Sequence, residues 1–296
     1  MLGRFLSAGF VLLALLSVPL GARGETKPAE PQKSWWVEPQ VNWWFPSLHA
    51  KFLSSSANAP GTSLSPNSDL GMNTTRNFLW PSLTVQPADR HRLTLSYLPM
   101  HYGGDKTLTQ NIAFAGRTFA SGSSLHSDLS FTDISATYAY DVARGAAGNF
   151  YLDVQVHYLD VSNRLQGTIG GGKVEVERRL QAPIPTIGGG IRTASVYGLF
   201  SLDGDFNIFK LGIPGFKGEL IDSQVGIKLD PLAWAKQNPG RICNPFAPSM
   251  CFSPEADRVA LTGGFRYFRV LERDTRGMTQ LDWLQKGPYV GLSIRF

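Results

Sequence analysis

The sequence predicts an all-β fold, a transmembrane antiparallel up-and-down barrel of about ten strands, with eight or twelve as the alternatives. Three observations lead to this fold class. The chain begins with an export segment, alternating apolar and polar segments recur along the rest of it, and its last strand ends in an aromatic residue. After residue 24, no apolar run approaches the ~18 residues of a membrane-spanning helix. Only 17% of the residues are charged, and 31 are glycine.

The first 24 residues have the pattern of a secretory signal peptide. Arg4 supplies a positive start, Phe5–Leu20 is an apolar run, and Ala22-Arg23-Gly24 is a cleavage site of the small-x-small type. We expect residues 25–39 to form a periplasmic segment. Residues 40–296 then form the barrel, with a cysteine-containing insertion near residues 230–257.

Alternation along the chain indicates strands, because side chains of a strand point to opposite faces in turn. The clearest example is Phe150–Tyr158, in which Leu152, Val154 and Val156 share one face with both end residues. We predict ten strands near Gln40–Phe52, Arg76–Gln86, His91–Tyr102, Leu125–Val142, Asn149–Leu159, Val174–Arg192, Val196–Ile208, Gly218–Leu229, Arg258–Val270 and Pro288–Phe296.

The connections alternate between short and long, as periplasmic turns and extracellular loops do. Pro87–Arg90, Ala143–Gly148 and Thr193–Ser195 are predicted short turns. The long connections lie near Leu53–Thr75, Gly103–Ser124 and Asp160–Lys173. An even strand count places both termini in the periplasm, together with residues 230–257.

Aromatic residues near strand ends fit the girdles of a barrel at the membrane–water boundary. Trp35, Trp36, Trp43 and Trp44 cluster at the first strand, and tyrosines such as Tyr138 and Tyr158 flank others. In the closing strand, Val290, Leu292, Ile294 and Phe296 share one apolar face. An edge strand of a soluble β-domain would alternate in the same way. A soluble secreted β-domain, with the alternating faces buried between sheets, is therefore kept as an alternative to the barrel.

Taken together, these features resemble the outer-membrane β-barrel proteins of Gram-negative bacteria. The resemblance is architectural and covers the chain after the signal peptide, and no motif ties it to a functional subfamily. It implies location in the cell outer membrane, in contact with outer-membrane lipid and lipopolysaccharide. It also implies that the barrel-assembly machinery reads the terminal strand, so that Val290, Leu292, Ile294 and Phe296 carry insertion.

If the apolar faces point to lipid, the polar faces line the interior. The predicted lumen residues are Asp133, Asp153, His157, Arg192, Asp203, Asp205, Asp222, Lys228, Arg266 and Arg295. Buried charges are costly unless they are paired or hydrated. We therefore expect ion pairs in a narrow lumen that side chains largely fill, and the alternative is a narrow hydrophilic pore.

The two cysteines, Cys243 and Cys251, are predicted to form a disulfide in the oxidising exported compartment. No histidine or carboxylate cluster flanks them, so we expect no metal site and no cofactor. The net charge of +5 is spread along the chain, and export makes a nucleic acid partner implausible. The sequence does not define the oligomeric state.

Candidates for catalysis are few. His126, Asp128 and Ser130 share a face near the outer end of one strand, and His101 ends the neighbouring strand. Such a cluster can place a base beside a hydroxyl, as in lipid-modifying barrels, although a solvated strand extension has the same composition. An omptin-like protease needs a partnered histidine, which Asp203 and Asp205 lack.

Two hypotheses of function follow. The leading one is a non-enzymatic outer-membrane barrel with a structural or narrow-pore role, whose long extracellular loops serve surface recognition. The alternative is a lipid-modifying or proteolytic barrel enzyme that acts at the extracellular mouth. The charge-rich stretch Lys173–Arg179 is a further candidate contact for lipopolysaccharide phosphates, with solvated charge as the alternative.

Overall fold

A computed structural model describes residues 35–55, 60–169, 172–196, 199–231, 258–274 and 279–296. These residues form an antiparallel β-barrel. The strands are β1 (Trp36–Trp44), β2 (Ser47–Ser54), β3 (Phe78–Ala88), β4 (His91–Thr107), β5 (Ile112–Phe114), β6 (Arg117–Phe119), β7 (Ser124–Gly145), β8 (Gly148–Ile169), β9 (Gly172–Thr193), β10 (Phe200–Ile213), β11 (Phe216–Leu229), β12 (Arg258–Asp274) and β13 (Thr279–Arg295).

The sheet closes on itself, because β1 pairs with both β3 and β13. The closing register runs from Gln40 opposite Ser293 to Trp44 opposite Tyr289. β2 continues along β13 after a kink at Phe45–Pro46, so β1 and β2 are two parts of one wall strand. The 11-stranded sheet therefore makes a ring of ten wall positions, while β5 and β6 form a separate hairpin. The predicted fold class and strand number are confirmed.

Both described chain ends lie at one end of the barrel, where the backbones of Val37 and Phe296 hydrogen-bond to each other. We call this the terminal end and the opposite one the loop end. The first strand begins at Trp36 rather than near residue 40, and the closing strand begins at Thr279 rather than at Pro288. Residues 232–257 lie outside the described residues, and with them Cys243 and Cys251.

The prediction of a long loop at Asp160–Lys173 is wrong. β8 continues to Ile169 and β9 begins at Gly172, so this stretch extends the barrel wall. The loop was expected because polar residues replace the apolar ones on the outward face after Tyr158. The strand itself continues in the same alternation.

The wall changes polarity along its length. In β8, Val154, Val156 and Tyr158 are exposed on the outer face at 50%, 43% and 42%. Beyond them the outward residues are polar, and the apolar Leu159 and Leu165 point inward, where they are 3% and 0% exposed. We call the part with apolar outer side chains the membrane half, and the other part the loop half.

The neighbouring strands exchange the polarity of their two faces at the same height along the barrel. Tyr97 is 46% exposed on the outer face of β4, whereas Leu98 is buried inside at 1%. In β7, Ile134 is outward and Phe131 is inward and fully buried. The loop half is therefore built like a soluble β-protein, and the membrane half is built with the opposite polarity. In the described part of the chain, no helix has the length and apolarity needed to cross a membrane.

Only half of the predicted tryptophan girdle points outward. Trp35 and Trp43 are 53% and 47% exposed, whereas Trp44 is fully buried inside. Trp36 lines the interior cavity. The expectation for Trp36 and Trp44 was wrong because neighbouring residues of a strand face opposite sides of the wall.

Two seams in the wall are only partly paired. β9 pairs with β10 over Ile187–Arg192 alone, although β8 accompanies β9 along its whole length. Pro183 and Pro185 lie just beyond the last pair, and proline has no N–H to donate to a neighbouring strand. The second seam lies between β3 and β4, whose pairing ends at Ser82 opposite Ser96.

Candidate functional site

The terminal end of the lumen contains a three-residue charge cluster. The Glu38 carboxylate accepts hydrogen bonds from the Lys228 ammonium at 2.6 Å and from the Arg295 guanidinium at 2.7 Å. The Arg295 guanidinium also stacks over the Trp36 ring, 3.9 Å from its centroid. Glu38 is only 5% exposed, so the two cations offset the cost of burying its charge.

A polar cavity of about 180 Å³ extends from this cluster into the membrane half, and Glu38, Lys228 and Arg295 line its terminal end. Asp153, Asp205 and Asp222 line it from three different strands, and Arg266 is one of the cations that face them. The Arg266 guanidinium binds the Asp222 carboxylate through two hydrogen bonds of 2.9 and 2.7 Å. It also lies 4.1 Å from the centre of the Trp80 ring, close enough for a cation–π contact.

Above this cavity, a packed layer of side chains crosses the barrel. The rings of Phe131 and Trp283 stack at 4.5 Å between centroids, and Phe268 meets Phe131 edge-on at 5.8 Å. All three are fully buried. Gln285 donates a hydrogen bond of 2.7 Å to the Tyr102 hydroxyl within the same buried region.

A buried polar pair joins the packed layer to the cavity. His157 Nδ1 lies 3.0 Å from Asp133 Oδ1, and neither side chain is more than 1% exposed. The guanidinium of Arg266 lies 3.7 Å from the same aspartate. Charged groups at the top of the cavity therefore form one connected network beneath the aromatic rings.

The structure places every predicted lumen residue inside the barrel. Eight of them line the cavity: Asp153, Arg192, Asp203, Asp205, Asp222, Lys228, Arg266 and Arg295. Asp133 and His157 lie above the cavity, and both are buried. Asp203 pairs with Arg192 at 2.8 Å, and Asp205 accepts a hydrogen bond of 2.6 Å from Gln224. Both aspartates are therefore committed to the lumen and do not reach the mouth, where an omptin-like site would need them.

Several interior polar residues were not predicted. Glu38 was assigned to the segment before the barrel, whereas β1 already begins at Trp36. The buried Arg92–Asp141 ion pair, 3.1 Å long, was also missed. Arg92 precedes the outward Leu93, and Asp141 follows the outward Tyr140. Strand alternation therefore places Arg92 and Asp141 inside the barrel.

A second group of polar residues lies on the outer face of the wall in the loop half. His101 Nδ1 is 3.1 Å from Ser130 Oγ, and His101 Nε2 is 3.6 Å from Asp128 Oδ1. On the other side of Asp128, its Oδ2 is 3.3 Å from His126 Nε2. The structure thus brings together His101, His126 and Asp128 beside a serine hydroxyl.

His126 is held by carboxylates on both sides. Its Nδ1 lies 2.7 Å from Asp105 Oδ1, and this hydrogen bond is the main reason that the pKa of His126 is raised above its ordinary value. Desolvation lowers the pKa and opposes this effect, while the charges of Asp128 and Asp105 add to it. An open groove next to this cluster is lined by Arg76, Pro99 and Met100, and by His101 and Ser130 themselves.

On β8 and β9, the same outer face carries cross-strand ion pairs. Arg179 Nε donates to Asp160 at 2.8 Å, and hydrogen bonding from Arg179 lowers the pKa of Asp160 to about 2. Arg164 pairs with Glu175 and Glu177, each at 3.2 Å. Much of the charge in the Lys173–Arg179 stretch is therefore already paired within the wall.

The closing strand has the predicted orientation. Val290, Leu292 and Phe296 are 52%, 45% and 47% exposed on the outer face, and Ile294 is partly exposed there. Among the described residues, no group of His, Cys, Asp and Glu side chains has the arrangement of a metal site.

No protein-family model matches the chain, and neither does any curated protein. Among solved structures, the outer-membrane protease OmpT of Escherichia coli is similar with 9% identity, over 88% of this chain and 97% of that one, at a TM-score of 0.49. Neisserial surface protein A is similar with 12% identity, over 88% and 97%, at 0.28. The translocator domain of the autotransporter NalP from Neisseria meningitidis has 11% identity, over 90% of each chain, at 0.35.

Proposed function

We propose that this protein is an integral outer-membrane barrel that is closed to the passage of solutes and anchors a folded, surface-exposed loop half. The packed layer of Phe131, Phe268 and Trp283 carries this proposal. Phe131 contacts both other rings, and all three are fully buried between the cavity and the loop end. A structural role is therefore favoured over a narrow pore.

The polarity change along the wall supports the membrane position. Apolar side chains such as Val154 and Leu292 are 50% and 45% exposed on the outer face of the membrane half. Exposed apolar surface of this extent is favourable only against lipid or a protein partner. The outer face of the loop half carries ion pairs instead, as expected where lipopolysaccharide headgroups and water replace the hydrocarbon.

The orientation follows from the connections. We place the terminal end in the periplasm and the loop end outside the cell, where the β5–β6 hairpin and residues 60–77 pack against the apolar interior of the loop half. Leu64, Leu70 and Phe119 from these segments are fully buried. The surface offered for recognition is therefore ordered and supported by a core.

Planar-bilayer recordings of the purified, refolded protein test the closed lumen. We expect no steady single-channel conductance, because the aromatic layer blocks the lumen. A Phe131→Gly/Trp283→Gly variant is the positive control and should conduct if it folds, as judged by heat-modifiable migration. Steady conductance from the wild-type protein would contradict the proposal.

A second candidate function rests on the contact chain Ser130–His101–Asp128. A hydroxyl, a base and a carboxylate in this order are the parts of a nucleophilic hydrolase. The substrate would be an acyl ester of an outer-leaflet lipid, since the cluster lies on the outer wall just beyond the membrane half.

In such a reaction the Ser130 oxygen attacks the ester carbonyl and its proton passes to His101 Nδ1. Asp128 stabilises the imidazolium, which then protonates the departing alcohol, and water later releases the acid and regenerates the serine. Release of fatty acid from phospholipid or lipid A tests this function. Turnover should be lost in Ser130→Ala and His101→Ala and kept in the control Thr168→Ala, whose side chain is exposed on β8 outside this groove. No turnover by folded wild-type protein would rule it out.

A further inference from the structure

An apolar pocket of about 400 Å³ opens in the loop half, on the far side of the packed layer from the lumen cavity. Its volume lies within the range of small-molecule sites, roughly 300–1,000 Å³. The apolar part of its wall comes from three sources, the barrel interior, β2 and the β5–β6 hairpin: Phe52, Leu53, Phe114, Leu129, Val161, Leu180 and Leu281.

One polar side chain in this wall has no partner. Asn163 is only 6% exposed, and neither its amide nitrogen nor its amide oxygen forms a hydrogen bond within the described residues. Buried amides are costly unless they are hydrogen-bonded. An unpaired amide in the wall of a pocket is accounted for if a bound molecule supplies the missing partner.

The charged groups around the pocket are two arginines and one glutamate. Arg179 is paired with Asp160 on the outer face. The Glu272 carboxylate accepts a hydrogen bond of 3.2 Å from Thr279. Arg178 lies directly opposite Asn163 in the β8–β9 ladder, and no described residue forms an ion pair with it. The guanidinium of Arg178 therefore lies adjacent to the unpaired amide, without an ion-pair partner among the described residues.

The wall beside the pocket is also open at one edge. Arg178–Leu180 belong to the part of β9 that only β8 accompanies among the described strands, because pairing with β10 stops at Ile187. Pro183 lies opposite Tyr158, the last outward apolar residue of β8. The unpaired edge therefore begins within the membrane half, opposite Val154, and crosses its upper boundary at Pro183, where the outer leaflet would meet it.

We propose that this pocket binds a single-chain amphiphile with an anionic head, of the fatty carboxylate class. The hydrocarbon chain packs among Phe52, Phe114 and Val161, and the carboxylate binds the Asn163 amide and the Arg178 guanidinium. The chain enters from the lipid through the unpaired edge of β9. This binding site is independent of the closed lumen and of the serine cluster.

Binding is measured in phosphatidylcholine nanodiscs, which avoid detergent in the pocket. The probe is a dansyl-labelled undecanoate, displaced by dodecanoate, with empty nanodiscs as the background. We expect saturable binding above that background. Arg178→Gln should weaken dodecanoate binding roughly tenfold, as expected for loss of a charge-assisted hydrogen bond. It should change dodecanol binding little, and Arg164→Gln, on the outer face, is the matched control.

Asn163→Leu separates a binding role from a structural one. Replacing an unpaired buried amide by an apolar side chain removes an unfavourable group, so the ligand-free variant should unfold at a higher urea concentration while binding dodecanoate more weakly. No saturable binding by folded wild-type protein would overturn the proposal, as would wild-type affinity in both variants. Equal loss of dodecanol and dodecanoate binding in Arg178→Gln would overturn the assignment of the anionic head.

Discussion

Replacing Arg266 by methionine tests the polar network of the membrane half. Arg266 is 2% exposed, donates two hydrogen bonds to Asp222 and lies 3.7 Å from Asp133. The substitution keeps most of the side-chain volume and the contact with Trp80, but it leaves the buried Asp222 carboxylate without its cation and Asp133 with His157 alone.

Removing one partner of a buried ion pair costs about 3–5 kcal/mol, chiefly because the remaining charge stays desolvated. We therefore expect Arg266→Met to lower the free energy of unfolding by this amount. Adding Asp222→Asn should give a coupling energy of about 2 kcal/mol, since it removes one of the stranded charges. The matched control is Arg164→Met. Its side chain is 44% exposed and its partners are Glu175 and Glu177, so it should cost at most about 1 kcal/mol.

Reversible urea unfolding in lipid bilayers, followed by tryptophan fluorescence, provides the free energies. A cost for Arg266→Met within about 1 kcal/mol of the Arg164→Met value would refute the reasoning, because it would mean that water already solvates the aspartates. Heat-modifiable migration confirms that each variant still forms the barrel.

Three further predictions concern other parts of the wall. Trp283→Ala should cost about 3–5 kcal/mol in the same unfolding assay, because its ring fills the centre of the packed layer; a cost below about 1 kcal/mol would contradict this. Because the pKa of His126 is raised on folding, its contribution to stability is present below the unfolded pKa of about 6.5 and is lost as the pH rises through the folded pKa. The urea midpoint of the wild type should therefore fall towards that of His126→Gln over this range, and parallel pH profiles would count against it. Deleting Phe296 should reduce the yield of assembled barrel in cells while leaving refolding into lipid in vitro possible, and unchanged assembly in cells would disprove its role as the assembly signal.

Much of the wall was predictable from alternation. Val154 and Val156 share a face with Tyr158 in the sequence pattern and in the structure. The period of two is kept because apolar side chains are favoured against lipid on one side of the wall and polar ones are favoured in the lumen on the other. The closing pairing was predictable too, since an even number of strands leaves the strand of Val290 only the first strand as a partner.

The loop half was not predictable in the same way. There the strands keep their alternation but exchange the polarity of their faces. At the exchange two apolar residues follow each other, Tyr158 pointing outward and Leu159 pointing inward. In the sequence alone, this exchange has the same pattern as the end of a strand. The contacts among His101, Asp128 and Ser130 depend on cross-strand register, which turn lengths and distant pairings set.

Lipid and water accessibility along β8 tests the central claim, that a single continuous wall passes from hydrocarbon to an aqueous environment after Tyr158. Nitroxide labels at residues 154, 156, 160, 162 and 164 all lie on the outer face, and collision with oxygen or with a water-soluble nickel chelate reports the surroundings of each. The account predicts oxygen-dominated collision at 154 and 156 and chelate-dominated collision at 160, 162 and 164. Oxygen-dominated collision continuing to residue 164, or chelate access at 154, would contradict it.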